Sequence, residues 1–171
     1  MRITILNDNI ASGICEAAHG LSYYIESDIN ILFDAGPSDI ALRNAKKLGK
    51  DITNVDYIVL SHGHWDHGNG LKHISEGKLV GHPEIFRKRY RRIGKQSIGL
   101  DLTESEIKQK FELVLSKEPL QLSDKIWFLG EIPIINRWDK IKEDFILENN
   151  EFDAIPDDSA IAVKSQQGII V

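Results

Sequence analysis

Alternation of apolar and polar positions marks short strands through the first third of the chain. Ile3 and Ile5 alternate within Arg2 to Leu6, Leu21, Tyr23 and Ile25 alternate in the same way, and Ile29 to Phe33 is a brief apolar run. Period two of this kind is the strand signature. The Ser27-Asp28 pair reads as a hairpin break between the second and third strands. The pattern then changes to helical spacing: Pro37 opens a helix carrying Ile40, Ala41, Ala45 and Leu48, closed by Gly49. Tyr57 to Leu60 returns to a compact apolar strand that stops at Ser61. Downstream, Leu79-Val80 reads as a strand and Pro83 to Tyr90 as a helix. Thr103-x-x-Glu106 is a capping box heading a helix with Ile107, Phe111 and Val114. Lys125 to Leu129, Ser159 to Val163 and Gly168 to Val171 complete the predicted strands. Strands interleaved with helices predict an α/β fold, and 171 residues suit one domain.

Composition narrows the function classes. The 26 acidic residues outnumber the 21 basic ones, leaving a net charge of −5 and a pI near 5.7. That balance argues against nucleic-acid binding as the main activity. Cys15 is the single cysteine, so no intrachain disulfide can form, and a reducing compartment fits. No apolar run approaches membrane-spanning length. The expectation is a soluble, cytoplasmic protein with no membrane association.

The chemistry is concentrated after the fourth strand. Ser61-His62-Gly63-His64-Trp65-Asp66-His67-Gly68 contains H-x-H-x-D-H, with three of the six histidines of the chain inside six residues. Imidazole nitrogens and carboxylate oxygens are ligands that Zn²⁺ and related ions accept. The spacing of His62 and His64 puts both rings on one side of an extended turn, while Asp66 and His67 can reach a second ion beside the first. Two such ions would activate a water and clamp attacking and leaving oxygens.

The motif resembles that of the metallo-β-lactamase superfamily, whose αββα sandwich carries H-x-H-x-D-H at a strand end. Ile31-Leu32-Phe33-Asp34-Ala35-Gly36 and Val59-Leu60-Ser61-His62 match its flanking strand ends. His19-Gly20-Leu21-Ser22, His82-Pro83-Glu84-x-Phe86, Gly130-Glu131-Ile132-Pro133 and Asp157-Asp158-Ser159-Ala160 are similar to one branch, the dihydropterin-forming ribofuranosyl-aminobenzene 5′-phosphate synthase-like metallo-hydrolases. The resemblance implies two divalent ions, Zn²⁺ before Mn²⁺ or Fe²⁺, held by His62, His64, Asp66 and His67. It implies metal-dependent hydrolysis of a small-molecule ester carrying a phosphate, with Asp66 the catalytic residue that also orients the attacking water. It makes Asp34 a residue that orients a ligand histidine, although a turn-forming Asp before Ala35-Gly36 is equally natural there. A nuclease on the same fold is the alternative activity, and a remnant inactive without a missing segment or partner is the non-enzyme alternative.

Several assignments stay open at this level. Asp157 or Asp158 falls where relatives place a later metal ligand, but either can simply turn the chain into the strand at Ser159. His19 and His82 sit at strand ends from which they could contact substrate. Arg87, with Lys88, Arg89, Arg91, Arg92 and Lys95, forms a basic cluster that either grips a phosphate or is the solvated face of a helix. Trp127, Trp138, Phe111, Phe128 and Phe145 are expected in the core or over the site. Members of the branch continue past this point with Gly-Cys-x-His and Gly-Gly-x-His segments, whereas no histidine follows His82 here. The expectation is therefore a first half to about Ile74, an insert or cap at about 75–156, and a second half only begun. Such a chain would hold its metals incompletely and would self-associate as a homo-oligomer or be completed by another chain.

Overall fold

The fold is seen in a computed structural model that describes residues 1–135 and 144–171. Trp138 lies outside the described residues. The strands are β1 (Arg2–Asn7), β2 (Ser22–Glu26), β3 (Asn30–Phe33), β4 (Tyr57–Val59), β5 (Gly77–Gly81), β6 (Arg89–Arg91), β7 (Phe111–Leu115), β8 (Leu120–Gln121), β9 (Ile126–Phe128), β10 (Phe145–Leu147), β11 (Ile161–Ser165) and β12 (Gly168–Ile170). The helices are α1 (Ile40–Lys47), α2 (Trp65–Gly68) and α3 (Glu104–Lys110), with single 3-10 turns at Asn69–His73 and Pro83–Phe86.

Six strands form one sheet in the order β1-β2-β3-β4-β5-β7, and β12-β11-β9-β8 form a second. The β1-β2 and β2-β3 pairs are antiparallel, while β3, β4, β5 and β7 run parallel. Ile25, Ile31, Val59 and Val80 meet Leu122, Ile126, Phe128, Ile161 and Val163 in the core between the two sheets. On the opposite face of the first sheet, Leu32, Ile58, Leu60 and Leu79 pack with Ala41 and Ala45 of α1, Leu71, and Ile107 of α3. Helices, sheet and sheet thus make three layers among the described residues. Burial on both faces explains why the alternation in β2 is blurred, with Tyr24 and Ile25 both in the interior.

Several sequence expectations change. The helix from the Thr103 box ends at Lys110, and Phe111–Leu115 is instead a strand pairing with β5 over five residues. Its Phe-Glu-Leu-Val-Leu sequence fits a pleated surface, and the central sheet offers a partner that a continued helix would leave unpaired. Pro83–Tyr90 makes one 3-10 turn and then extends at Arg87, because the Arg89 side chain is drawn inward to Asp153 and Asp157. The helix after Pro37 begins only at Ile40, and Leu48 is exposed. Ile3 and Ile5 are exposed, and Leu6 carries the buried contact of β1. The stretch at about 75–156 is not a separate cap: it supplies β5 and β7 to the first sheet and β8 and β9 to the second. The part that stands apart is the two-stranded ribbon β6-β10.

No helix among the described residues is long and apolar enough to cross a membrane.

Candidate metal centre

Parallel pairing brings the carboxyl ends of β3, β4 and β5 side by side, which places Asp34, Ser61-His62 and His82 along one edge of the sheet. Crevices beyond such strand ends are where open α/β sheets bind ligands. Because β2 runs antiparallel to β3, its leading residues His19 and Gly20 reach the same edge.

The motif loop is held from both sides by backbone bonds. Ala35 N–H and Gly36 N–H donate to the His67 carbonyl at 2.7 and 3.1 Å, and Gly70 N–H donates to the Gly36 carbonyl. Trp65 N–H donates to the Ile98 carbonyl, and Leu100 N–H to the Gly63 carbonyl, both at 3.1 Å. At Gly20, with φ 122°, a side chain would overlap the Asp66 carbonyl oxygen, so glycine lets the two loops close.

Four predicted residues come together there. His62 Nε2 and His64 Nδ1 are 2.9 Å apart, and the His62 and His67 rings are 4.2 Å apart between centroids. The Asp66 carboxylate lies 3.6 Å from His67 Nε2 and 3.3 Å from His19 Nε2. His19 is thus at the site, on its open side, with its other nitrogen on Asn9. Asp34 is fully buried behind the cluster. It accepts Ser61 N–H and Ser61 O–H at 2.8 Å each, and His67 Nδ1 at 2.6 Å. Asp34 thus both turns the chain into Ala35-Gly36 and hydrogen-bonds the His67 ring. Asp158 is exposed and near enough to His67 for their charges to interact.

Other predicted residues are placed elsewhere. Asp157 is buried and turned to Arg89 and to Gly63 N–H, from which it accepts three hydrogen bonds. His82 is buried, caps the 3-10 turn by accepting Glu84 N–H, and faces Glu131 at 3.4 Å. Arg87 is exposed and paired with Glu84. The basic cluster is no helix face: Arg89 is wholly interior, and Lys88 meets Glu148.

Electrostatics favour metal-binding forms of the rings. Burial, reinforced by His67, His64 and Arg89, holds His62 well below the ordinary imidazole value. Burial and Arg89 lower His64 to about 4. Both rings therefore favour the neutral form, in which each carries one lone pair. Burial opposes charge on His67 as well, but the Asp34 hydrogen bond and the charges of Asp34, Asp66 and Asp158 raise it above its ordinary value.

Comparison with known proteins agrees with this arrangement. Residues 16–82 match the family model of the metallo-beta-lactamase superfamily. Tm1679, described as a metal-dependent hydrolase of the β-lactamase superfamily, superposes with a TM-score of 0.83 at 28% identity, over 98% of this chain and 62% of that one. Residues 16–82 carry the metallo-β-lactamase superfamily match, and the fold of the chain is of metallo-β-lactamase type. A quorum-quenching N-acyl homoserine lactone lactonase shares the metallo-β-lactamase fold alone, with a TM-score of 0.55 at 14% identity, over 86% of this chain and 57% of that one. Two curated relatives come from Methanocaldococcus jannaschii. The uncharacterized protein MJ0448 is 37% identical over 91% of this chain, and a 7,8-dihydropterin-6-methyl-4-(beta-D-ribofuranosyl)-aminobenzene-5′-phosphate synthase is 31% identical over 90%. The chain spans 59% of the length of each.

The donor set fits the divalent ions of a metallo-β-lactamase domain. His64 Nε2 is buried without a partner, the orphan that a ligand would satisfy. As the side chains stand, no three His, Cys, Asp or Glu groups among the described residues are spaced to hold one ion.

Sequence reading missed Asp153 and the roles of Ser61 and Arg89, whereas Phe145, expected in the core or over the site, lies against the motif. Ser61 bridges Asp34 and His62, and only its adjacency to the motif hints at that. Phe145 packs on the His64 ring at 5.2 Å between centroids. Arg89 contacts residues 64 and 68 positions away, for which a single sequence carries no signal.

Proposed function

We propose that this domain is a metal-dependent hydrolase acting on a small, phosphate-bearing ester. The observation that carries the reading is the cluster of His62, His64, Asp66 and His67 at the strand ends, with His62 and His64 held toward the neutral form and Asp34 behind His67. Zn²⁺, Mn²⁺ or Fe²⁺ held there would supply an acidified water and a Lewis acid. His62, His64, Asp66 and His67 would hold the ions, with Asp158 the nearest further carboxylate. Asp34 keeps the proton of His67 on Nδ1 and so aims Nε2 forward. Asp66 orients the attacking water, and His19, exposed beside it, moves a proton between Asp66 and solvent.

The phosphate preference rests on the synthase relative, whose name specifies a 5′-phosphate. A small molecule is favoured over a nucleic acid, because basic side chains near the site are already paired: Arg87 with Glu84, Lys88 with Glu148, Arg89 with Asp153 and Asp157. The synthase name also supports a second reading, a non-hydrolytic transformation of a ribosyl phosphate on the same centre.

The test is turnover by metal-reconstituted protein of p-nitrophenyl phosphate, bis-p-nitrophenyl phosphate and p-nitrophenyl acetate, with chelator-treated protein as the blank. Metal-dependent release favouring a phosphoester is expected. Metal-independent release, or preference for the acetate, overturns the proposal.

A further inference from the structure

We infer that Arg89 and Asp157, backed by Asp153, form a buried brace that sets the spacing of His62 and His64 for metal capture. The inference rests on the metal-hydrolase reading and adds positioning residues to it.

Gly63 lies between the two histidines. Its N–H donates to Asp157 Oδ2 at 2.8 Å. The same oxygen accepts Arg89 Nη1 at 2.9 Å, the other accepts Nη2 at 2.5 Å, and Arg89 Nε donates to Asp153 at 2.7 Å. All three side chains are fully buried. A side chain at Gly63 would overlap the Ile85 carbonyl oxygen and the Arg89 guanidinium, so the peptide rests directly on the brace. From the opposite side, Leu100 N–H closes on the Gly63 carbonyl. Gly63, the residue joining the two histidines, is thus gripped at both its N–H and its C=O.

The brace has features of a geometric device. Burying three charges is not the most stabilising way to fill a core, and an apolar cluster of similar volume commonly does better. The Arg fork is planar and bidentate, so it fixes the Asp157 carboxylate in orientation as well as in position. Asp157 in turn accepts three N–H bonds, two from Arg89 and one from the loop. It serves the loop and not the ion. The ribbon β6-β10 delivers both Arg89 and Phe145, the latter against His64, which gives this ribbon a reason to lie over the motif.

The test is cobalt(II) titration of the whole chain, read by binding isotherm and visible absorption, for the wild type, Asp157→Asn, Arg89→Lys and Lys88→Ala. Lysine cannot rebuild the fork, and asparagine keeps an acceptor for Gly63 but loses the charge pairing. Both variants are expected to weaken cobalt binding by ~10–100-fold, the range for residues that orient ligands, and to alter the absorption bands. Lys88→Ala, at an exposed side chain paired with Glu148, should leave both unchanged. A wild type that takes up no cobalt overturns the metal reading itself. Variants that fold by circular dichroism and bind cobalt with wild-type affinity and spectrum overturn the brace alone. Should the variants fail to fold, the wild-type Gly63 amide decides: hydrogen exchange as slow as in β4 is expected, and exchange at the rate of a free loop overturns the brace.

Discussion

Asp34 holds its backbone in the left-handed region at φ 55°, which costs a non-glycine residue about 1–3 kcal/mol. The compensation is visible: both carboxylate oxygens are used, and Ser22 O–H donates to the backbone carbonyl at 2.8 Å. Asparagine tolerates the same backbone, so Asp34→Asn isolates the side-chain chemistry. An amide facing both Ser61 and His67 must put its NH₂ against one of them. Turned toward His67 Nδ1, it leaves the ring proton on Nε2, where the ion should bind. We expect Asp34→Asn to bind zinc ~10–100-fold more weakly, measured by competition with a chromophoric chelator. Gly20→Ala acts on backbone alone: its methyl would overlap the Asp66 carbonyl at φ 122°. A stability loss of about 1–3 kcal/mol is expected in urea unfolding, together with weaker metal binding, because Asp66 is displaced.

Among the elements, α3 owes its start to local chemistry and its place to one side chain. Thr103 Oγ1 accepts Glu106 N–H while the Glu106 carboxylate accepts Thr103 N–H at 2.8 Å, a complete capping box. Ile107 is its one buried residue. Thr103→Ala should cost about 1 kcal/mol, and Ile107→Ala about 2–5 kcal/mol, both read from urea midpoints. Helix α1 is tied instead to the loop before β2. Asn44 donates to the Leu6 and Glu16 carbonyls and accepts Glu16 N–H, while the Glu16 carboxylate meets Arg43 and Lys47. Hydrogen bonds first from Arg43 and then from Lys47 lower Glu16 to about 2. A depressed carboxyl stabilises the fold above its unfolded value and loses that contribution as pH falls through its folded value. Wild type should therefore melt above Glu16→Gln at pH 7. The gap should close between about pH 4.5 and pH 2, where the carboxyl of the folded state takes up its proton, in a thermal series against pH.

At the scale of the whole molecule, the inter-sheet face is broader than the core that fills it. Ile3 stands opposite Ile25 and Ile170 opposite Val163, and directly opposed residues share a face. Ile25 and Val163 are buried between the sheets, yet Ile3 and Ile5 are 46% and 56% exposed and Ile170 is 42% exposed. Among the described residues β1 and β12 are edge strands, and apolar rows beside such edges favour association. The expected outcome is a sedimentation-velocity mass that rises with concentration, and Ile5→Lys combined with Ile170→Lys should return it toward the monomer. A monomer at all concentrations would show that these rows are tolerated as ordinary surface.

The sequence by itself determined the parts whose causes are local. Period-two alternation and short apolar runs placed β2, β3, β4 and β9, a capping box started α3, and six consecutive residues grouped the metal-competent side chains, because strand pitch, cap bonds and ligand type are properties of neighbours in the chain. What only the tertiary structure decided is which of two local preferences wins and which distant residues meet. Phe111–Leu115 became a strand because β5 offered a parallel partner. Pro83–Tyr90 gave up its helix because Arg89 found Asp153 and Asp157, 64 and 68 residues away. His19 joined Asp66 because an antiparallel strand returns to the edge where the parallel ones end. Charge pairing and sheet pairing act through space, so a strand's partner and a carboxylate's cation are settled only when the chain closes on itself.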